Sequence, residues 1–366
     1  MNIIVLLLLL ILSTTAFSNK NGERLIQNDW ETLARYTTIK YFSSSNHNTG
    51  GSIQAKWDIE GEIKCTVYDD LHVDLILPDG FDSTKTFKAM THGFMDTVND
   101  GKIAFVDAWM ESNNFNVNGI LVDWSELAFV AIVDWDSIIY DAAARNAIDV
   151  GEYLGHCLGA LSSQAGIQGG NFHLAGHSLG AHLMGKAGRT FREVTGQFID
   201  RITGCDPAGP RFVDGPLLPA IPELHNNRIN PESAAFVDII HTDASLEPAA
   251  VWIIPRLGDL HPLGHMDFYP DGGSAQNGCG FLGPDGIPGG VCSHRRSYLY
   301  LLHSFLEPDL FPSKECADVE ACSEGQVISE DVVAFMGEKA QEYFTGERKL
   351  FFLSIEDDHW DFDEHN

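Results

Sequence analysis

Short apolar runs alternate with helix-compatible stretches along most of the chain. Val73 to Pro78 reads as a strand, and Phe87 to Thr91 as a second that runs into His92-Gly93-Phe94. A helix is predicted from about Lys102 to Ser112, with Ile103, Phe105, Val106 and Trp109 roughly on one face. Asn118 to Trp124 is the next strand. The apolar run Leu127 to Val133 reads either as a further strand or as a loop inserted near the reactive rim. Asp141 to Leu161 carries Ala, Leu and Val at helical spacing and predicts a long helix. A short apolar run then ends at Gly176, and the helix-compatible stretch Leu179 to Thr190 follows. Gln197 to Cys205 and Ala235 to His241 read as strands, whereas Asn19 to Gly61 is polar and carries no periodic signal. Strands alternating with helices predict an α/β arrangement, a mostly parallel central sheet covered by helices on both faces. In such sheets reactive groups collect at the carboxyl ends of the strands.

The ends of the chain carry different patterns. Ten apolar residues, Ile3 to Leu12, precede Ser-Thr-Thr-Ala-Phe-Ser. This matches a signal-peptide core with a small-residue cleavage site, so residues 1–18 are expected to be a leader and the protein to be secreted. The run is too short to span a membrane, and no later apolar run approaches about 20 residues. The last eleven residues, Glu356 to Asn366, hold six acids, so an acidic tail is expected from 353 onward. One domain over 19–352 fills the interval.

Composition narrows the partners. With 52 acidic against 23 basic residues the formal charge is −29, which argues against nucleic acid and against steering to anionic membranes. No Lys/Arg run offers a heparin patch. Seven cysteines in a secreted chain imply disulfides and an odd thiol. Cys279 with Cys292 and Cys316 with Cys322 are the near pairs. Cys65, Cys157 and Cys205 are left unpaired by sequence, with Cys205, at the end of an apolar segment, expected as a buried free thiol.

The chemistry centres on Gly176-His177-Ser178-Leu179-Gly180, a G-x-S-x-G set between a strand and a helix. A serine at the apex of so tight a turn needs small residues two positions before and after it. Ser178 Oγ then stands above a helix N-terminus that favours an oxyanion, and the N–H of Leu179, the residue after the nucleophile, is one expected donor. A serine nucleophile needs a base, and the base an orienting acid. In this fold class they follow in the order Ser, Asp/Glu, His. Asp206 and Asp243 each follow a strand, whereas Asp238 and Asp267 lie inside theirs. Among the 15 histidines, the sequence alone does not choose between His241, His261, His265, His294 and His303. His177, beside the serine, reads as a packing residue.

A resemblance narrows the choice. Gly176-His-Ser-Leu-Gly-Ala-His182, Ile202-Thr-Gly-Cys-Asp-Pro-Ala-Gly-Pro210, Phe236-Val-Asp-Ile-Ile-His-Thr-Asp-Ala244 and Gly264-His-Met-Asp-Phe-Tyr-Pro-Asp-Gly-Gly273 resemble motifs of the pancreatic lipase family. So do Thr91-His-Gly-Phe94 and Cys292-Ser-His-Arg295, and the likeness runs from Val73 to Phe351. The resemblance implies an α/β-hydrolase fold, with Ser178 as nucleophile, Asp206 as acid and His294 as base. It assigns the oxyanion hole to the N–H groups of Phe94 and Leu179.

Three departures bear on substrate and cofactor. The segment between Cys279 and Cys292, the family's lid, holds twelve residues with five glycines and two prolines, against a stable helix. Even fully helical it would span only about 18 Å. A flap this short implies an open cleft, as in the family's phospholipase A1 members, and little interfacial activation. Arg211 to Ala234 is long, which points back to a triacylglycerol lipase. The same stretch corresponds to the family's calcium loop. Here Asn230 and Ser233 stand where calcium-binding members have aspartates, so Glu223, Arg228, Asn230 and Ser233 are weak candidates and no cofactor is expected to be required. Only fifteen residues follow Phe351, against about 100 for the family's β-sandwich, so neither that domain nor a colipase-type partner is expected. These features imply a secreted carboxylester hydrolase acting on glycerolipid at a lipid–water interface. The alternative is a non-catalytic lipase-like storage or lipid-binding protein, which would lack the serine or the histidine.

Overall fold

The computed structural model describes residues 29–42, 61–129, 139–214, 219–244, 256–280 and 289–356. The expected leader (1–18), part of the Leu127–Val133 run, the interior of the Cys279–Cys292 segment and the acidic end of the tail lie outside the described residues.

Helix α1 (Trp30–Tyr36) starts at Asp29, whose carboxylate accepts the Thr32 N–H at 2.8 Å, and leads into β1 (Thr38–Phe42). In β2 (Gly61–Val67), Ile63, Cys65 and Val67 are buried while Glu62, Lys64 and Thr66 face water, the period-2 pattern of a half-buried strand. It pairs antiparallel with β3 (Val73–Ile76). Next come β4 (Thr86–Thr91), α2 (Asp100–Ser112), β5 (Val117–Asp123), the short α3 (Ser125–Ala128) and the long α4 (Ile139–Ala165). The chain continues through β6 (Phe172–His177), α5 (Leu179–Thr195), β7 (Arg201–Cys205), α6 (Pro222–Asn226), β8 (Phe236–Ile240) and β9 (Met266–Pro270). Helix α7 (Gly289–Leu306), β10 (Pro312–Cys316), α8 (Val319–Ser323), β11 (Ala334–Phe335) and β12 (Lys349–Leu353) complete it.

Among the described residues the strands form one sheet in the order β11-β10-β12-β9-β8-β7-β6-β4-β5-β1-β2-β3. The block from β12 to β5 is parallel, and both flanks turn antiparallel. Strands β6, β7, β8 and β9 are buried along their whole length, as expected of strands covered on both faces. One apolar core joins the sheet to α4 and α5 through Leu154, Leu158, Leu183 and Phe191. The other joins it to α2 and α7 through Phe105, Trp109, Tyr298 and Phe305. Helices α4 and α5 approach closely because Gly151, Gly155 and Gly159 form a stripe along α4. A Cβ on any of them would come within 2.5 Å of an atom of α5. This is the α/β-hydrolase layout, with the ends of β4, β6 and β7 opening on one rim.

Several boundaries differ from the sequence reading. The polar stretch before Gly61 contains α1 and β1, too short to show a period. Strand β7 begins at Arg201 rather than Gln197. The segment after Trp124 is helical at Ser125–Ala128, neither strand nor loop over those residues. Helix α7 begins at Gly289, inside the Cys279–Cys292 segment where no helix was expected. Packing of the downstream Tyr298, Leu301 and Phe305 outweighs the poor propensity of two glycines at its start. At the C-terminus Leu353 and Ile355 are still buried, and the Ile355 N–H donates to Asp271 at 2.8 Å, so the packed chain runs past residue 352. Disulfides join Cys65–Cys157, Cys279–Cys292 and Cys316–Cys322, and Cys205 is free and buried.

Candidate active site

Strand β6 delivers Ser178 to the rim with φ +59° and ψ −122°, a conformation outside the ordinary L-residue regions that marks a strained elbow. The two glycines make it possible. A Cβ on Gly176 would lie 2.2 Å from Gly180 O, and one on Gly180 would lie 2.6 Å from His92 O. The elbow is held from below by the Ser178 N–H donating to Cys205 O at 3.0 Å. Strand, turn and helix are thus packed too closely for any larger residue.

One strand over, Asp206 follows β7, also at positive φ (45°), and is fully buried. Its Oδ1 accepts the Thr242 N–H at 2.8 Å, and its Oδ2 lies 2.6 Å from His294 Nδ1, the length of a charge-assisted hydrogen bond. Helix α7 presents His294 almost wholly buried. Gly258 packs against the acid so tightly that a Cβ there would stand 2.4 Å from Asp206 Oδ1. Among the described residues no hydrogen bond joins Ser178 to His294.

The other candidates are engaged elsewhere. Asp243 accepts from Arg256 Nη1 at 2.9 Å and the Leu257 N–H at 3.0 Å. Burial, and then the negative charge of Asp206, push it up to about 7. Asp238 holds Arg201 through two contacts, at 2.9 and 2.8 Å, and His241 pairs with Asp267 at 2.9 Å. His261 sits on Asp259 at 2.7 Å, and His265 Nδ1 accepts the Val237 N–H at 3.0 Å. His177 donates from Nε2 to His294 O at 3.1 Å, and its ring rests on those of His294 and Tyr298. Burial, with the nearby His294 charge, holds it well below the ordinary histidine range, so it stays neutral and braces the neighbouring imidazole.

Neither the Phe94 N–H nor the Leu179 N–H has a backbone acceptor among the described residues. The Phe94 turn is braced by residues the sequence did not flag. Trp124 Nε1 donates to His92 O at 3.0 Å, and the two rings stack with centroids 5.5 Å apart. The Trp124 N–H lies 3.2 Å from His92 Nε2, and the Met95 N–H donates to Ala128 O at 3.2 Å. The only sequence hint was the Val-Asp-Trp at the end of β5. Cys279 and Cys292 pin the neck of the short segment. A Cβ on Gly289 would lie 1.9 Å from Gly280 O, so the two limbs touch at the neck.

The calcium candidates are each engaged with protein partners. The Glu223 carboxylate takes Arg145 Nη1 at 2.6 Å, and Arg228 Nη1 reaches Asp259 at 3.1 Å. Asn230 caps a 3-10 turn by accepting the Glu232 N–H at 2.9 Å. Ser233 Oγ accepts from Arg189 at 2.8 Å. Among the described residues no group of three or more His, Cys, Asp or Glu side chains is placed to hold a metal ion. These residues do not fit a calcium site.

The family model for lipase matches residues 27–359. Among curated relatives, pancreatic lipase-related protein 2 of Myocastor coypus is 36% identical over 261 residues, 67% of this chain and 49% of the relative. The human protein of that name is 34% identical, over 69% and 51%. Pancreatic triacylglycerol lipase of Equus caballus is 33% identical, over 77% and 59%. The chain thus spans about half the length of the curated relatives it matches. With the family pattern running almost from end to end, this chain belongs to the lipase family.

Proposed function

We propose that the chain is a secreted carboxylester hydrolase that releases fatty acids from glycerolipids, with Ser178 as nucleophile, His294 as base and Asp206 as orienting acid. The observation that carries this reading is the strained elbow at Ser178 on the same rim as the buried Asp206–His294 pair. With Nδ1 committed to Asp206, the imidazole has Nε2 free to take the hydroxyl proton as Ser178 attacks the ester carbonyl. The N–H groups of Phe94 and Leu179 then stabilise the tetrahedral oxyanion, each such donor contributing about 10²–10³ in rate. The protonated imidazole passes its proton to the leaving alkoxide, and a water activated the same way frees the fatty acid. The names of the relatives, a triacylglycerol lipase and a lipase-related protein, support the glycerolipid class. Secretion rests on the leader pattern over 1–18 and on three disulfides, which persist in oxidising compartments. The short neck at Cys279–Cys292 supports phospholipase A1-like access, and the long Arg211–Ala234 stretch supports triacylglycerol.

Ser178→Ala should abolish p-nitrophenyl ester hydrolysis and leave the thermal midpoint almost unchanged. An active variant would remove Ser178 from the mechanism. A wild type inactive on every ester would favour the non-catalytic lipid-binding alternative.

A further inference from the structure

We propose that Arg189, on α5, is the resident cation of the loop between α6 and β8, which takes its shape from an internal guanidinium rather than from a bound metal ion. Three oxygens from separate points of the loop converge on this side chain. Nη2 donates to Asn227 O at 3.0 Å, and Nη1 donates to Arg228 O at 3.1 Å and to Ser233 Oγ at 2.8 Å. Carbonyl and hydroxyl oxygens arranged around a point are what a hard divalent cation seeks, and here a positive charge already stands among them. The guanidinium is given to oxygens without formal charge, and Glu193 and Glu232 act on it only through space. Burial draws it down to about 10, so it remains charged at neutral pH.

The side chains that would complete a metal site are spent on other bonds. The Asn230 amide donates to Arg228 O at 3.3 Å, while its carbonyl caps the turn. Ser233 Oγ accepts the Asn230 N–H at 3.3 Å as well as Arg189. A divalent ion entering the cage would meet the guanidinium's charge at close range. The loop also reaches the catalytic rim. The Ile229 N–H donates to His182 Nδ1 at 3.1 Å, and His182 Nε2 donates to Ala208 O at 2.8 Å, two residues beyond Asp206. Burial holds His182 down to about 4, which keeps the ring neutral and able to accept at one nitrogen and donate at the other.

The test is thermal unfolding of the full chain in chelator, in millimolar magnesium and in millimolar calcium. Magnesium corrects for screening of the formal charge of −29. The wild type should melt at the same temperature in calcium as in magnesium. Arg189→Gln should melt about 3 °C lower under all three conditions, and Arg189→Lys should recover part of that loss. A calcium-specific rise of about 2 °C or more in the wild type overturns the proposal. An Arg189→Gln protein that melts with the wild type overturns it equally. If that variant does not fold, the comparison of calcium with magnesium on the wild type decides alone. The readout does not depend on hydrolysis, so its failure and that of the esterase reading are distinguishable.

Discussion

Asp206 and Asp243 illustrate how neighbours divide two carboxylates that the sequence left equivalent. Each follows a strand of the parallel block and each is fully buried, but the Asp206 oxygens go to Thr242 and His294, those of Asp243 to Arg256 and Leu257. A third acid, Asp107 on α2, gives a sharper pH test away from the rim. Burial, with the nearby Glu111 charge adding to it, raises Asp107 from 3.8 to about 8. For an acid whose folded value lies above its unfolded one, the stabilising contribution is complete below the unfolded value. It is lost as pH rises through the folded value, because the unfolded chain then ionises more easily. Asp107→Asn should therefore raise the thermal midpoint above pH 8, with the gain shrinking to nothing near pH 4. A midpoint difference independent of pH would show that the carboxyl does not titrate in this range.

At the scale of elements, the elbow was legible because its geometry tolerates few sequences: Gly176 and Gly180 are close-approach positions, and a strand and a helix flank them. The parallel strands were legible as continuous apolar runs. What escaped was short or distant. The alternation of Ile63, Cys65 and Val67 covers one strand only, and α1 has two turns. The brace of His92 on Trp124 joins residues 32 apart, and the clamp of Gly258 on Asp206 needs residues 257–259 of the β8–β9 connection to fold back against the segment that follows β7. No periodicity encodes such contacts. That clamp yields a prediction. Gly258→Ala places a methyl 2.4 Å from Asp206 Oδ1, so the carboxylate or the connection must shift. Displacing the acid by about 1 Å should cost roughly 10²-fold in kcat, with a smaller effect on KM. Unchanged kcat would mean that the connection yields without moving Asp206.

At the scale of the molecule, the Cys65–Cys157 bridge staples the antiparallel flank to α4 across 92 residues of sequence. Closing so long a loop contributes about 4–5 kcal/mol in the chain-entropy model. The Cys65→Ala, Cys157→Ala double variant should therefore unfold at markedly lower denaturant, and an unchanged midpoint would place the stabilisation elsewhere. Neither cysteine could be paired from sequence, since only the fold brings β2 against α4. Substrate choice also belongs to this scale. With the limbs of the Cys279–Cys292 segment touching at their neck, the rate should rise smoothly through the solubility limit of a short-chain triglyceride. A sharp jump would refute the open-cleft reading. Turnover on triolein, phosphatidylcholine and a galactolipid, measured side by side, ranks the substrates.

Cys205 offers a practical handle on all of this. Its thiol is sealed from water, burial and then the charges of Asp238 and Asp206 push its ionisation well above the ordinary range, and its own carbonyl supports the Ser178 amide. An alkylating reagent should therefore pass over the native protein and label this sulfur only when the floor beneath Ser178 comes apart. Timed labelling would count those openings in unmodified protein, with no engineered reporter, and set their frequency against the rate at which activity is lost.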